Sequence, residues 1–215
     1  MVEFHNRTEA GRMLAQSLMD YANHQDLLVL ALPRGGVPVA FEVAQALNAP
    51  LDVCIVRKLG VPGHKELAMG AIAAGDIGIL NYDVINTLGI DKETIKIVGA
   101  EELQELQRRD RKYRGDAPPI NIKNKTVILI DDGIATGSTI RAAITLIKQQ
   151  QPAKLIIGVP VAPASTYEEL KLEVDEIVSL MTPKIMSAIG LWYEDFSQTT
   201  DEEVEELLRL GGRRR

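Results

Sequence analysis

Apolar runs of strand length alternate with helical patterns along most of the chain. Residues 27–32 (LLVLAL) meet Pro33-Arg34-Gly35-Gly36, and 37–47 then carries helical spacing. Further apolar runs fall at 51–56, 126–130 (TVILI), 155–161 and 177–181, with helical patterns at 139–150 and 165–172 between them. Val, Ile and Leu without polar alternation mark strands buried on both faces, and strands interleaved with helices mark a parallel sheet. The expected fold class is α/β, a doubly wound and mainly parallel sheet flanked by helices. Ligands of such sheets sit beyond the carboxyl ends of the strands. Chemistry is therefore expected in the segments after residues 32, 56 and 130.

Three stretches stand outside this alternation. Residues 8–22 read as a leading amphipathic helix, and 91–114 as one long helix ending in Arg108, Arg109, Arg111, Lys112 and Arg114. Residues 60–86 are Gly-rich and read as a hairpin with a mobile loop. Near the carboxyl end come the only tryptophan, an acidic helix at 201–210 and a Gly-Gly-Arg-Arg-Arg tail. No repeat or linker divides the chain, so 1–215 is read as a single domain.

Composition narrows the function classes. Of 215 residues, 46% are apolar and 25% charged, enough for a real core. Lys and Arg number 24 against 30 Asp and Glu, a net charge of −6 that disfavours general nucleic-acid binding. Cys54 is the single cysteine, which rules out an internal disulfide and argues against a Cys-based zinc site. The longest apolar stretches are about half or less of the ~18–20 residues of a membrane span. Glu3, Arg7, Glu9 and Arg12 break up any signal-peptide core, so the expected location is cytoplasmic, with no membrane partner.

The densest signal is the run VILIDDGIATGST, residues 127–139. A buried strand ends in Asp131 and Asp132, and a Gly/Thr/Ser turn opens a helix. Gly133 and Gly137 let successive N–H groups converge on one anion. The helix N-terminus and the hydroxyls of Thr136, Ser138 and Thr139 add to that cradle. No Lys follows Gly137, so this is not the loop that holds the terminal phosphates of a nucleotide. Two acids beside a phosphate site suit a ligand that also presents hydroxyls or a bound Mg²⁺. A ribose 5-phosphate has that shape. Pro33-Arg34-Gly35-Gly36 offers close backbone approach and a bidentate Arg34 to a second anion. Arg57 and Lys58, after the second apolar run, match a diphosphate leaving group.

The run VILIDDGIATGST resembles the phosphoribosyl-pyrophosphate (PRPP) signature of type I phosphoribosyltransferases, and the resemblance covers roughly residues 25–185. Within that superfamily the chain is most similar to a branch of predicted phosphoribosyltransferases. The resemblance implies that Asp131 and Asp132 contact the ribose 2′- and 3′-hydroxyls, with Mg²⁺ near them held through PRPP. It implies a 5′-phosphate on residues 135–139, that is Ala135, Thr136, Gly137, Ser138 and Thr139. The 33–36 loop is implied to take pyrophosphate, often with a cis peptide at Arg34-Gly35. Residues 60–86, with His64 and Lys65, resemble the flexible lid, and 183–215 the hood. There Trp192 and Tyr193 could stack on a base and Asp195 accept from it; aromatics anchoring the terminal segment are the competing reading.

The activity implied is Mg²⁺-dependent transfer of the 5-phosphoribosyl group from PRPP to a nitrogenous base, releasing pyrophosphate. Asp131, Asp132, Arg34 and Lys58 are the expected catalytic residues, and a homodimer is the expected assembly. Two other readings stay open. One is a regulatory protein of the same fold that senses PRPP or a nucleotide. The other is a hydrolase or phosphorylase-like enzyme acting on another ribosyl phosphate.

Overall fold

The computed structural model describes residues 3–73, 77–115, 117–118 and 120–211. Five strands form one sheet: β1 (Leu27–Ala31), β2 (Leu51–Val53), β6 (Thr126–Ile130), β7 (Lys154–Val161) and β8 (Glu176–Met181). Their order is β2-β1-β6-β7-β8, and every pairing is parallel. Helices α1 (Arg7–Ser17), α2 (Gly36–Leu47) and α7 (Asp201–Leu210) cover one face. Helices α5 (Ser138–Gln149) and α6 (Ala164–Leu170) cover the other.

The unbroken apolar strands explain this layering. Leu27, Val29 and Ala31 point into a cluster with Leu14, Val43 and Leu47, while Leu28 and Leu30 point into one with Ile140, Ile144 and Leu170. A period of two with both faces buried leaves no position for a polar residue.

The second apolar run does not stay one strand. β1 stops at Ala31, so β2 finds a partner only through Val53, and the Cys54 amide closes the ladder on the Ala31 carbonyl at 2.8 Å. The chain then enters a separate antiparallel sheet of β3 (Val56–Val61), β4 (His64–Ala73) and β5 (Ile77–Leu80). Gly63 takes φ +80° in its Pro62-Gly63 turn, as the hairpin expectation requires. Arg57 and Lys58 therefore lie within β3 rather than on a loop of the main sheet. This sheet is held by Leu59, Val61, Met69 and Ile85, with Ile95 and Val98 packed against them. Helices α3 (Tyr82–Leu88) and α4 (Lys92–Arg114) follow it.

Residues 3–5 pair with residues 192–195. Phe4 and Tyr193 form a parallel bridge, and Glu194 and Asp195 donate to the carbonyls of Phe4 and His5 at 2.9 and 2.8 Å. Among the described residues no helix is long and apolar enough to cross a membrane.

Candidate active site

β1 and β6 are neighbours with Ala31 opposite Ile130, so the loops that follow them leave the sheet side by side. The Leu32 amide donates to the Ile130 carbonyl at 2.8 Å. A Cβ on Gly36 would meet the Ile130 carbonyl at 2.8 Å and Asp131 Cα at 2.9 Å, and one on Gly35 would meet Asp132 Oδ2 at 2.0 Å. Glycine is thus required at 35 and 36 because the loop lies against the acid pair. The non-proline cis peptide is Pro33–Arg34, one bond before the position the resemblance pointed to.

The acid pair is crowded. The Asp132 amide donates to Asp131 Oδ1 at 2.9 Å, and Arg7 Nε donates to Asp132 Oδ2 at 2.7 Å. Burial, and then the charge of its neighbour, hold the Asp131 carboxyl well above the usual Asp range. Burial also raises Asp132, opposed by the Arg7 guanidinium. A carboxylate lining the cleft, beside a second one held by a guanidinium, suits hydroxyl donors or a divalent cation shared with ligand oxygens.

The turn after the pair opens α5, with Gly137 at φ +75° as its N-cap. First-turn amides of a helix have no acceptor within the helix, so they are directed at whatever fills the turn. Thr136 Oγ1 and Ser138 Oγ lie 3.0 Å apart. Arg141 Nη1 bonds the Thr136 carbonyl at 3.1 Å, and Thr166 Oγ1 bonds the Ala135 carbonyl at 3.2 Å, bracing the turn from outside. A cleft of about 170 Å³ results, lined by Asp131, Gly133, residues 134–140 and Ile189.

A family's sequence model for a phosphoribosyl transferase domain matches residues 3–190. The chain belongs to this family. A Mycobacterium tuberculosis (H37Rv) protein, named provisionally as a phosphoribosyl transferase, is 43% identical over 201 residues. Those residues are 94% of this chain but 45% of that protein, so the chain spans less than half of the curated relative it matches. The crystal structure of TT1426 from Thermus thermophilus is 38% identical, with a TM-score of 0.86 over 96% of this chain and 98% of that one. A hypoxanthine-guanine phosphoribosyltransferase of Bacillus anthracis shares the fold at 12% identity and a TM-score of 0.51, covering 86% of this chain and 84% of that one.

Around this phosphoribosyl transferase core the other expected site residues are distributed unevenly. Lys58 lines a larger cavity of about 710 Å³ together with Pro33, Arg57, Ile97, Glu101 and Thr139, so β3, α4, the loop after β1 and the first turn of α5 contribute to one space. Arg57 there is paired with Glu102 at 2.6 Å. Arg34 stands 3.7 Å from Asp201, at the start of α7. His64 is exposed at the start of β4, and the Lys65 side chain lies outside the described residues, as do residues 74–76 of the expected lid.

The hood assignment does not hold for the aromatics. Trp192 and Tyr193 are 7% and 4% exposed and pack with Phe4, Ala10 and Val161. The Tyr193 hydroxyl donates to the Asp132 carbonyl at 2.6 Å. These rings anchor the terminal segment because pairing with residues 3–5 draws them inward. Asp195 caps the Ser197 amide at 2.9 Å instead of facing a cavity.

Four of the five cations in the basic run of α4 are matched within the chain: Arg108 and Arg109 by Glu105, Lys112 by Glu202, and Arg114 by Asp52 and Asp110. Sequence reasoning missed Arg7, whose only local signal is a cation at the first position of a helix, where the dipole disfavours it.

Proposed function

We propose that the protein transfers the 5-phosphoribosyl group of PRPP to a nitrogen nucleophile and releases pyrophosphate. The observation that carries this reading is the shared cleft of Asp131 and the α5 turn, beside the glycine loop at 33–36. The turn binds the 5′-phosphate through residues 135–139, supplying remote binding energy that orients the sugar. Asp131 faces the ribosyl hydroxyls and Asp132 adds negative charge behind it, which favours the positive charge that grows at the anomeric carbon.

The C1–O bond to diphosphate breaks and a C1–N bond forms, and the acceptor's N–H proton is released to solvent. Arg34 and Lys58 stabilise charge accumulating on the departing diphosphate. Asp131 and Asp132 are the residues that would hold Mg²⁺ together with the substrate, and the ion would supply further neutralisation of that charge. The acceptor enters through the 710 Å³ cavity, whose apolar wall at Ile97 and Val98 suits a ring. The β3–β4 hairpin bounds the same space and is the segment placed to exclude water.

The test is incubation with PRPP, Mg²⁺ and a panel of purines, pyrimidines and their precursors while pyrophosphate is measured. Release with one acceptor class supports the transferase. Tight PRPP binding with no release from any acceptor overturns it in favour of a sensor.

A further inference from the structure

Asp132 is engaged from within the protein. Its side chain and that of Arg7 are 12% and 11% exposed, and the 2.7 Å bond between them is a charge-assisted contact in a largely dry place. Arg7 is fixed from its other side as well. Its guanidinium lies 3.9 Å from the centroid of the Phe196 ring, and its Nη1 donates to the Ser197 carbonyl at 2.7 Å. A planar fork stacked on one aromatic and bonded at two edges has little freedom left, which an ammonium would not reproduce.

The two acids are therefore not equivalent. Asp131 lines the cleft at the phosphate turn. The Asp132 carboxylate is directed at Arg7 and at the space a Gly35 side chain would fill. A cation at the first position of α1 works against the helix dipole, and such a local cost is expected where a site demands the residue.

We propose that Arg7 is a positioning residue for phosphoribosyl transfer. It clamps Asp132 against Gly35, so that Asp132 shapes the diphosphate loop and Asp131 is the acid that meets the ribosyl hydroxyls. The clamp ties that geometry to the terminal segment through Phe196 and Ser197. The inference rests on the phosphoribosyl reading above and adds to it the residue that keeps Asp132 behind Asp131.

The charged and titratable groups around Asp132 are Arg7 from α1, Asp131 from its own loop and Tyr193 from the terminal segment.

The experiment combines calorimetric PRPP binding in Mg²⁺ with carboxyl-carbon NMR of Asp-labelled protein. In the wild type, PRPP should shift the Asp131 carboxyl resonance and leave that of Asp132 nearly still; comparable movement of both overturns the proposal. Arg7→Met and Asp132→Asn should each weaken PRPP about tenfold, and the double variant no more than the worse single one. Arg7→Lys should recover only part of the loss, and Phe196→Leu should lose less than Arg7→Met. Fully additive losses overturn the clamp. Absence of PRPP binding by the wild type instead removes the transferase reading, an outcome distinct from a clamp that fails while PRPP binds.

Discussion

Gly35 and Asp132 are fitted to each other around a missing side chain: a Cβ on Gly35 would stand 2.0 Å from Asp132 Oδ2. Asp132 cannot swing aside without breaking its bond to Arg7. Gly35→Ala should therefore cost about 1–3 kcal/mol, the range for overpacking a tight interior, and should weaken PRPP at least tenfold. Gly99→Ala is the control. Gly99 lies inside α4 with open space around its Cβ position, so alanine there should stabilise by about 0.5–1 kcal/mol. Urea melts of the two variants should move in opposite directions.

Arg114 holds the end of α4 to the edge of the main sheet. Its Nε donates to Asp52 Oδ1 at 2.9 Å, with the side chains 4% and 2% exposed, and it also bonds Asp110 and the Val53 carbonyl. Removing one partner of such a pair strands a buried charge, which costs about 3–5 kcal/mol. Arg114→Met should lose that much in denaturant unfolding. The Arg114→Met/Asp52→Asn double variant should lose clearly less than the sum of the two single losses.

These contacts show where sequence pattern stops being informative. The strand-turn-helix at 126–149 was legible because a two-sided apolar run, two acids and a glycine turn each demand a local conformation. The acidic helix was legible too, since Thr200 caps the Glu203 amide and Leu207 and Leu208 face the core. The splitting of 51–56 into β2 and β3 was not, because it depends on where β1 ends rather than on residues 51–56 themselves. Tyr193 and Trp192 look alike as base platforms or as anchors until the pairing of residues 3–5 with 192–195 is known. Arg7 and Asp132 are 125 residues apart, and no periodicity relates them.

The acid pair should weaken the fold at neutral pH. The Asp131 carboxyl is raised by burial and by Asp132, so the native state binds a proton that the unfolded chain has already released. Between the unfolded value of about 3.9 and the raised native value, stability falls as pH rises. Asp131→Asn removes that charge yet keeps an acceptor for the Asp132 amide. It should melt higher than the wild type at pH 7, by roughly 2–4 °C for each kcal/mol recovered, with the difference vanishing near pH 3. The same variant should bind PRPP at least tenfold more weakly. A lower melting temperature at pH 7 would mean that Asp131 is satisfied in the folded protein.

Arg34 comes from the loop after β1 and Lys58 from β3, where Lys58 lines the 710 Å³ cavity. Both should act on charge that grows as the C1–O bond breaks. Replacing either with Ala should reduce kcat by ~10²-fold or more, the scale for losing one stabiliser of transition-state charge. Ribose 5-phosphate carries no diphosphate, so its binding should change little in either variant. Arg34 also stands 3.7 Å from Asp201, whose carboxyl is held below the usual Asp range by the Tyr113 hydroxyl and by Lys112 and Arg34. Asp201→Asn separates the two roles. If Asp201 only restrains Arg34, that variant should keep kcat within a few-fold while raising KM for PRPP, since the guanidinium must then be ordered by the substrate. A kcat loss in Asp201→Asn as deep as that of Arg34→Ala would show instead that the ion pair with α7, and not contact with the leaving group, is what the reaction needs from Arg34.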